Sequence, residues 1–265
     1  MKPFLKWAGG KRWLAKQLTD QIFPTFNRYF EPFLGSGAVF FELTPTVAVL
    51  SDANDDLIQT YCSIRDYPQD VYEQLADLHQ RHNSDLYYDL RLLRPTDPIQ
   101  AATRFIYLNR TCWNGLYRVN RKNQFNVPIG SKDTVIFPDD DFHLISEALK
   151  LAEIRTSDFE FSIDQACKDD LIYVDPPYTV RHNSNGFLKY NQVMFSWDDQ
   201  VRLHDCLVRA RDRGCHIVIS NADHLSVREL YHDFDNLTSL SRASIIAGKA
   251  TARSGTTELL VVHHG

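Results

Sequence analysis

Short, continuous runs of apolar residues recur along the chain and end in polar or turn-forming residues. They cover residues 29–33, 47–51, 171–174 and 216–220, and they lead into a glycine turn, Asp52, Asp175 and Asn221. Apolar runs without alternation are typical of parallel strands that are buried on both faces.

Between these runs, apolar residues recur at helical spacing. One such segment begins after Pro68, and another lies before Gly214, where Ser196 and Asp199 resemble an N-terminal capping box. Strands that alternate with helices predict an α/β fold with a doubly wound, Rossmann-like sheet.

Two parts of the chain break this alternation. Residues 237–246 and 257–262 are strand-prone and predict a terminal antiparallel hairpin at the edge of the sheet. The stretch 57–148 is too long for a connection between a strand and a helix. We therefore predict one domain formed by residues 1–56 and 149–265, with residues 57–148 as an inserted, mainly helical subdomain.

Composition excludes several classes of protein. No apolar run approaches the roughly 18 residues of a membrane span, and the N-terminus lacks the apolar region of a secretory signal. The cysteines, 5 in number, are scattered without a C-x-x-C pair. We therefore expect reduced thiols, a cytoplasmic location, and neither a disulfide framework nor a metal site.

The net charge of −5 is unevenly distributed. Residues 1–19, 105–132 and 242–253 contain basic residues and no acid. One such segment would indicate only a solvated loop, but three on an acidic chain favour contact with phosphates.

A glycine loop, Glu31-Pro-Phe33-Leu-Gly35-Ser36-Gly37, comes directly after the first apolar run. Glycines after a buried strand let the backbone approach a ligand closely. Asp52, at the end of the next strand, is suited to accept the hydroxyls of a ribose. The two features together favour a nucleotide-like ligand. The absence of the motif G-x-x-x-x-G-K-[ST] excludes a P-loop NTPase.

The tetrapeptide Asp175-Pro176-Pro177-Tyr178 stands at the carboxyl end of an apolar run, where such sheets place their chemistry. Its prolines lack N–H groups and leave carbonyls as acceptors. Asp175 and the Pro176 carbonyl suit the two N–H groups of an amine on a planar base, which Tyr178 would stack against. Most Pro-Pro pairs are rigid surface turns, but placement after a buried strand favours function.

Two further segments complete the pattern: Lys6-Trp7-Ala-Gly-Gly-Lys11 and the basic stretch 108–130. The second is either a plain β-hairpin that turns near residues 121–123 or a DNA probe, in which arginine reads guanine, asparagine reads adenine and an aromatic ring wedges between base pairs.

Along the chain, the Lys6–Lys11 segment comes first, then the glycine loop, the basic stretch and the Asp175 tetrapeptide. In this order, the motifs resemble the Dam-type (D12 class, α-group) DNA adenine-N6 methyltransferases, over nearly the whole chain from Phe4 to about Val262. The resemblance implies S-adenosylmethionine as cofactor, with a pocket formed by Trp7, Lys11, Glu31, Phe33, Gly35, Ser36, Gly37, Asp52, Asp158 and Phe159. It implies a catalytic set of Asp175, Pro176 and Tyr178.

The resemblance also implies double-stranded DNA as the substrate and residues 57–148 as the target-recognition domain. Lys6 matches a lysine that contacts guanine, and the other implied DNA contacts are Asn109, Arg110, Asn114, Tyr117, Arg118, Asn120, Arg121 and Lys122. The chain departs at Val119 and Ser131 from the members that recognise GATC, so the resemblance does not fix the target sequence.

The expected reaction is base flipping followed by direct methyl transfer to adenine N6, by a monomer associated with the nucleoid. A cytosine-N4 enzyme is the main alternative, although such enzymes usually carry serine in place of Asp175. A protein-glutamine or RNA methyltransferase would typically carry asparagine there. A nucleotide-dependent oxidoreductase would explain the glycine loop and leave Asp175-Tyr178 unexplained.

Overall fold

The structure is a computed structural model that describes residues 1–120, 122, 124–181, 195–242 and 256–265. The strands are β1 Tyr29–Glu31, β2 Ala48–Asp52, β3 Ala152–Thr156, β4 Leu171–Val174, β5 His216–Ala222, β6 Asn236–Arg242 and β7 Thr256–His263. The α-helices are α1 Arg12–Gln17, α2 Ala38–Leu43, α3 Asp55–Asp66, α4 Pro68–Gln80, α5 Ser84–Leu92, α6 Pro98–Thr111, α7 Phe142–Leu149, α8 Phe159–Ile163, α9 Trp197–Asp212 and α10 Leu225–Leu230. Shorter helical turns cover Leu18–Ile22 and Trp113–Gly115.

The strands belong to one sheet with the order β3-β2-β1-β4-β5-β7-β6. β4 pairs in parallel with β1 and β5, and β7 pairs antiparallel with β5 and β6. The predicted Rossmann-like α/β fold and the terminal antiparallel hairpin are confirmed. The hairpin strand β6 forms the edge, and residues 243–246 of the predicted range lie outside the described residues.

The chain divides into two compact units. The first consists of residues 1–21 and 34–157, and the second of residues 22–33 and 158–265. The predicted inserted subdomain, 57–148, belongs to the first unit together with the parallel pair β2–β3. Its separation as a domain of its own stays a prediction.

Within the first unit, α6 is the central helix and contacts α3, α4 and α5. All of its residues from Ala102 to Thr111 are buried. The helix begins where the Asp97 side chain accepts a hydrogen bond from the Gln100 N–H and where Pro98 has the backbone angle of a first turn. A helix buried all round provides a rigid base for the segments packed on it.

Within the second unit, β4 is the central strand, and its residues Leu171 to Val174 are all buried. Helix α9 begins at the predicted capping box, in which the side chains of Ser196 and Asp199 each accept from the other residue's backbone N–H. No helix in the part of the chain that the structure describes is long and apolar enough to span a membrane.

Candidate functional site

The glycine loop in the first unit is fixed by a close contact and a backbone constraint. Gly35 has a positive φ of 47°, and a Cβ on this residue would lie 2.7 Å from Cδ1 of Trp7. The Tyr61 hydroxyl donates to the Gly35 carbonyl at 3.1 Å. Gly37 also has a positive φ, of 63°, and stands directly before α2. Side chains at positions 35 and 37 would strain this turn.

Asp52 closes the loop from the end of β2. Its carboxylate accepts hydrogen bonds from the Gly35 N–H at 3.1 Å and the Asn54 N–H at 3.0 Å. Burial nevertheless raises the pKa of Asp52, because these hydrogen bonds only partly offset the loss of solvation. A partly buried carboxylate oriented by backbone N–H groups fits a partner that donates hydroxyl hydrogens, as a ribose does.

Three further candidates of the cofactor set lie in this unit: Trp7 and Lys11 in the N-terminal segment, and Ser36 in the glycine loop. Ser36 and Lys11 are buried, and the Lys11 ammonium donates to the Gly9 carbonyl at 2.8 Å. A Cβ on Gly10 would lie 3.5 Å from Oγ of Ser36. The structure therefore places Trp7 and the backbone of Gly10 against the glycine loop, while Lys11 is buried and holds the N-terminal segment at Gly9.

The second unit contains an aromatic cluster of Phe33, Phe159 and Phe195. Phe33 stacks on Phe159 with ring centroids 5.4 Å apart, and the Phe195 ring lies 5.6 Å from Phe33 and 5.8 Å from Phe159. The Arg202 guanidinium lies 4.1 Å from the centroid of the Phe159 ring. Phe195 and Arg202 were not predicted, although Arg202 follows the capping box by one helical turn.

Asp158 is held by the same arginine. Its two carboxylate oxygens accept from the Arg202 guanidinium at 2.7 and 2.9 Å, and it also caps α8 by accepting from the Glu160 N–H. These hydrogen bonds keep the pKa of Asp158 below its ordinary range. Asp158 is therefore ionised and fixes Arg202 against Phe159.

Glu31, the remaining residue of the cofactor set, ends β1 in the second unit. It is 3% exposed and accepts a hydrogen bond from the Tyr29 hydroxyl at 2.9 Å. Burial and the charge of Glu31 raise the pKa of Tyr29. The tyrosine therefore stays protonated and orients the Glu31 carboxylate.

Asp175-Pro176-Pro177-Tyr178 lies directly after β4, as predicted. Asp175 and Tyr178 are partly buried, and Pro176 is buried. Burial, the charge of Asp175 and the charge of Glu258 on β7 raise the pKa of Tyr178, so its phenol is neutral. An uncharged aromatic ring beside a carboxylate and proline carbonyls suits a planar base that bears an amine.

The next residue anchors this tetrapeptide. Thr179 is fully buried, and its hydroxyl donates to the Phe195 carbonyl at 2.6 Å. The backbone beside Tyr178 is thereby joined to the aromatic cluster of Phe33, Phe159 and Phe195. Sequence reasoning missed this contact, because the two residues are 16 positions apart.

The basic stretch of the first unit forms the predicted hairpin. Val119 and Phe125 make an antiparallel bridge, and the Asn120 side chain accepts from the N–H groups of Lys122 and Gln124. The Arg118 guanidinium donates to the Asn126 side chain at 2.9 Å. The predicted contact Arg121 lies outside the described residues.

Two predicted DNA contacts are corrected by their burial. Arg110 and Asn109 are both 0% exposed. The Arg110 guanidinium donates to the Phe4 and Val135 carbonyls and to the Asp140 carboxylate. Asn109 hydrogen bonds with both the N–H and the carbonyl of Lys6, at 2.9 and 2.7 Å. Both side chains therefore hold the N-terminal segment rather than face DNA.

Tyr117, another predicted DNA contact, is also engaged inside the first unit. Its ring stacks against Phe105 and Trp7, and its hydroxyl donates to the Asp56 carboxylate. The exposed aromatic residue of this stretch is Trp113, at 57% exposure. Asn114, beside it, has a positive φ of 56°.

Lys6 lies at the base of the hairpin. Its ammonium donates to the Arg110 carbonyl at 3.0 Å, and its aliphatic stem packs against Gly115, where a Cβ would lie 2.9 Å from Cβ of Lys6. Burial and the neighbouring charges of Lys132 and Arg110 lower the pKa of Lys6. This lysine is thus oriented before any ligand binds.

Taken together, the sheet order, the glycine loop with Asp52, and the strand-end Asp175-Pro176-Pro177-Tyr178 define a methyltransferase of the Rossmann-like class. The family profile described as D12 class N6 adenine-specific DNA methyltransferase matches residues 7–246. The chain belongs to this family.

Named relatives agree with that assignment. The type II methyltransferase M1.LlaDCHI of Lactococcus lactis subsp. cremoris is 38% identical, over 100% of this chain and 96% of its own length. The type II methyltransferase M.MjaIII of Methanocaldococcus jannaschii is 31% identical, over 100% and 99%. The DNA adenine methylase of Haemophilus influenzae is 34% identical, over 87% and 83%.

The predicted activity is therefore confirmed at the level of the family: the protein is an adenine-specific DNA methyltransferase that acts on N6. The cytosine-N4 alternative is not supported, since the matching family is specific for adenine.

Proposed function

We propose that the methyl donor is S-adenosylmethionine, held by the pocket residues that the family resemblance implies. The observation in favour is the preformed loop: Gly35 and Gly37 keep side chains away from the turn, and Asp52 presents an oriented carboxylate. When bound, this cofactor supplies an electrophilic methyl group on a sulfonium. Phe33 and Phe159 offer ring faces suited to its adenine.

The observation that carries the proposed mechanism is the position of Asp175-Pro176-Pro177-Tyr178 at the end of the fully buried β4. The target amine donates one hydrogen to the Asp175 carboxylate and the other to the Pro176 carbonyl. These hydrogen bonds draw the nitrogen lone pair out of conjugation, and the carboxylate stabilises the positive charge that develops on nitrogen. Tyr178, neutral and partly buried, stacks on the base.

We further propose that the substrate is double-stranded DNA from which the adenine is flipped, at a cost of a few kcal/mol for unstacking. The candidates for DNA contact are Lys6, Trp113, Asn114, Arg118, Asn120 and Lys122. Arg121, which lies outside the described residues, stays a predicted contact. Trp113 replaces Tyr117 as the aromatic candidate because of its exposure. We also propose that the protein acts as a monomer on chromosomal DNA in the cytoplasm, because it carries one predicted catalytic set and one predicted recognition hairpin.

The experiment that tests this function uses unmethylated duplex DNA, the purified protein and methyl-labelled S-adenosylmethionine. We expect label in N6-methyladenine at a defined sequence, mapped by sequencing. Label in cytosine, or none with Asp175 intact, would contradict the proposal. Binding of S-adenosylhomocysteine, measured separately by calorimetry, tests the cofactor without relying on turnover.

A further inference from the structure

Three aromatic rings of the first unit pack together between α6 and the glycine loop. The ring centroids of Phe105 and Tyr117 are 4.5 Å apart at 28°, and those of Tyr117 and Trp7 are 5.7 Å apart at 18°. Trp7 covers Gly35, where no Cβ would fit. The Trp7 and Phe105 rings also lie 6.3 Å apart at 18°, so the hairpin residue Tyr117 packs against both rings of a compact cluster, and Trp7 joins this cluster to the proposed cofactor loop.

The hydroxyl of Tyr117 makes a second connection to the same loop. It donates to the Asp56 carboxylate at 2.9 Å, in the first turn of α3. Burial and the charge of Asp56 raise the pKa of Tyr117, so the hydroxyl keeps its proton as a donor. Helix α3 is capped by Asn54, whose backbone N–H donates to Asp52.

Tyr117 is adjacent to Arg118, which begins the outer part of the hairpin. Any movement of the hairpin on DNA therefore acts on the Tyr117 ring and hydroxyl, and through them on Trp7 and α3. Interactions that connect two ligand sites through packed groups appear as a coupling free energy, and the coupling is reciprocal for the two ligands.

We propose that Tyr117 is a positioning residue that couples the binding of the cofactor to the binding of the target DNA. Occupancy of the glycine loop orders Trp7 and α3, these hold Tyr117, and Tyr117 holds the hairpin in the conformation that contacts DNA. This inference rests on the proposed assignments of the cofactor loop and the hairpin, and it adds a role for a residue that touches neither ligand.

The test is a thermodynamic cycle with S-adenosylhomocysteine and a duplex that contains the methylation site mapped by sequencing. The Kd of S-adenosylhomocysteine is measured by calorimetry with and without saturating duplex. In the wild type, we expect the duplex to tighten this binding by about fivefold or more. In Tyr117→Phe, which keeps the ring and loses the hydroxyl, the coupling should fall by about threefold or more.

Tyr87→Phe is the matched control. The Tyr87 hydroxyl is buried and donates to the Val127 carbonyl at 3.0 Å, so it also anchors the hairpin stretch, but without a contact to Trp7 or Asp56 in the described residues. We expect its coupling to equal that of the wild type.

Unchanged coupling in Tyr117→Phe, an equal loss in both variants, or no coupling in the wild type would each overturn the proposal. A wild type that fails to bind S-adenosylhomocysteine at all would instead overturn the proposed cofactor, and the coupling with it.

Discussion

The strand end that carries Asp175 and the hairpin that carries Arg118 are held in contrasting ways. The first follows a buried strand with parallel neighbours on both sides and is anchored by the Thr179 hydroxyl. In its described residues, the second has two isolated bridges, Cys112–Ile129 and Val119–Phe125, and the Asn120 side chain accepts from the N–H groups of Lys122 and Gln124.

This difference matches what each region must do. Methyl transfer depends on atoms fixed at reacting distance, which a buried strand end provides. Contact with DNA needs a surface that can adjust on binding, and a partly exposed hairpin that lies outside the sheet provides that. We therefore expect substitutions at the strand end to change the rate, and substitutions in the outer hairpin to change the choice of site.

The largest effect is expected for Asp175→Ala. Loss of one oriented partner of the amine should lower kcat by about 10²–10³-fold or more. The Kd of S-adenosylhomocysteine should stay close to that of the wild type, since Asp175 is assigned to the amine. Labelled methyl transfer and calorimetry measure the two quantities. A large loss of cofactor binding would place Asp175 in the cofactor pocket instead.

Two arginines of the same basic stretch should separate structure from recognition. Arg110→Met leaves the buried Asp140 carboxylate without its ion pair and should lower the free energy of unfolding by about 3–5 kcal/mol. Arg118→Met should change it by no more than about 0.5 kcal/mol. Urea denaturation measures both.

Sequencing of the methylated sites completes that comparison. Arg118→Met should alter the preference among sites, whereas Arg110→Met should methylate the wild-type sites at temperatures where it is folded. If Arg110→Met is fully stable and changes the preference, the correction of its role is wrong.

A smaller effect is expected for Thr179→Val. Loss of the hydroxyl leaves the Phe195 carbonyl without its donor and loosens the ring that packs on Phe33 and Phe159. We expect kcat/KM for the cofactor to fall by about tenfold. Thr179→Ser keeps the donor and should restore most of the activity. Wild-type activity in Thr179→Val, or a loss in Thr179→Ser as large as in Thr179→Val, would contradict the assignment of the effect to the hydrogen bond alone.

The subtlest expected effect is a pH dependence of stability at Asp52. Burial raises its pKa above the ordinary 3.8, so the folded protein binds this proton more tightly than the unfolded chain. Protonated Asp52 therefore stabilises the folded protein at pH values below 3.8. This contribution to the free energy of unfolding is lost as the pH rises from 3.8 through the raised pKa of the folded state. The stability of Asp52→Asn relative to the wild type should increase as the pH rises through this window. The substitution should also weaken cofactor binding, because Asp52 is assigned to the cofactor ribose.

Acid titration of both proteins, followed by urea denaturation at each pH, measures that difference. A constant stability difference between Asp52→Asn and the wild type would contradict the assigned pKa direction.

Features that depend on local sequence were predictable, and features that depend on contacts between distant segments were not. The strands, the capping box of Ser196 and Asp199, and the position of the Asp175 tetrapeptide after β4 were predicted correctly, because each depends on neighbours within a few positions. The predicted ends were wrong by two residues for β1, which ends at Glu31, and for β5, which continues to Ala222. Arg110 and Tyr117 were assigned to DNA, since the sequence shows residue type and not burial. The ring contacts of Phe195 and Arg202 join segments far apart in sequence and had no local signal.

The sequence by itself determined the fold class, the order of the motifs and the position of Asp175 at a strand end, since apolar periodicity and turn-forming residues act locally. Only the tertiary structure decided which basic and aromatic residues face solvent. Burial depends on the packing of α6, the N-terminal segment and the hairpin on one another. That packing directs the Arg110 guanidinium to Phe4, Val135 and Asp140 instead of to a phosphate.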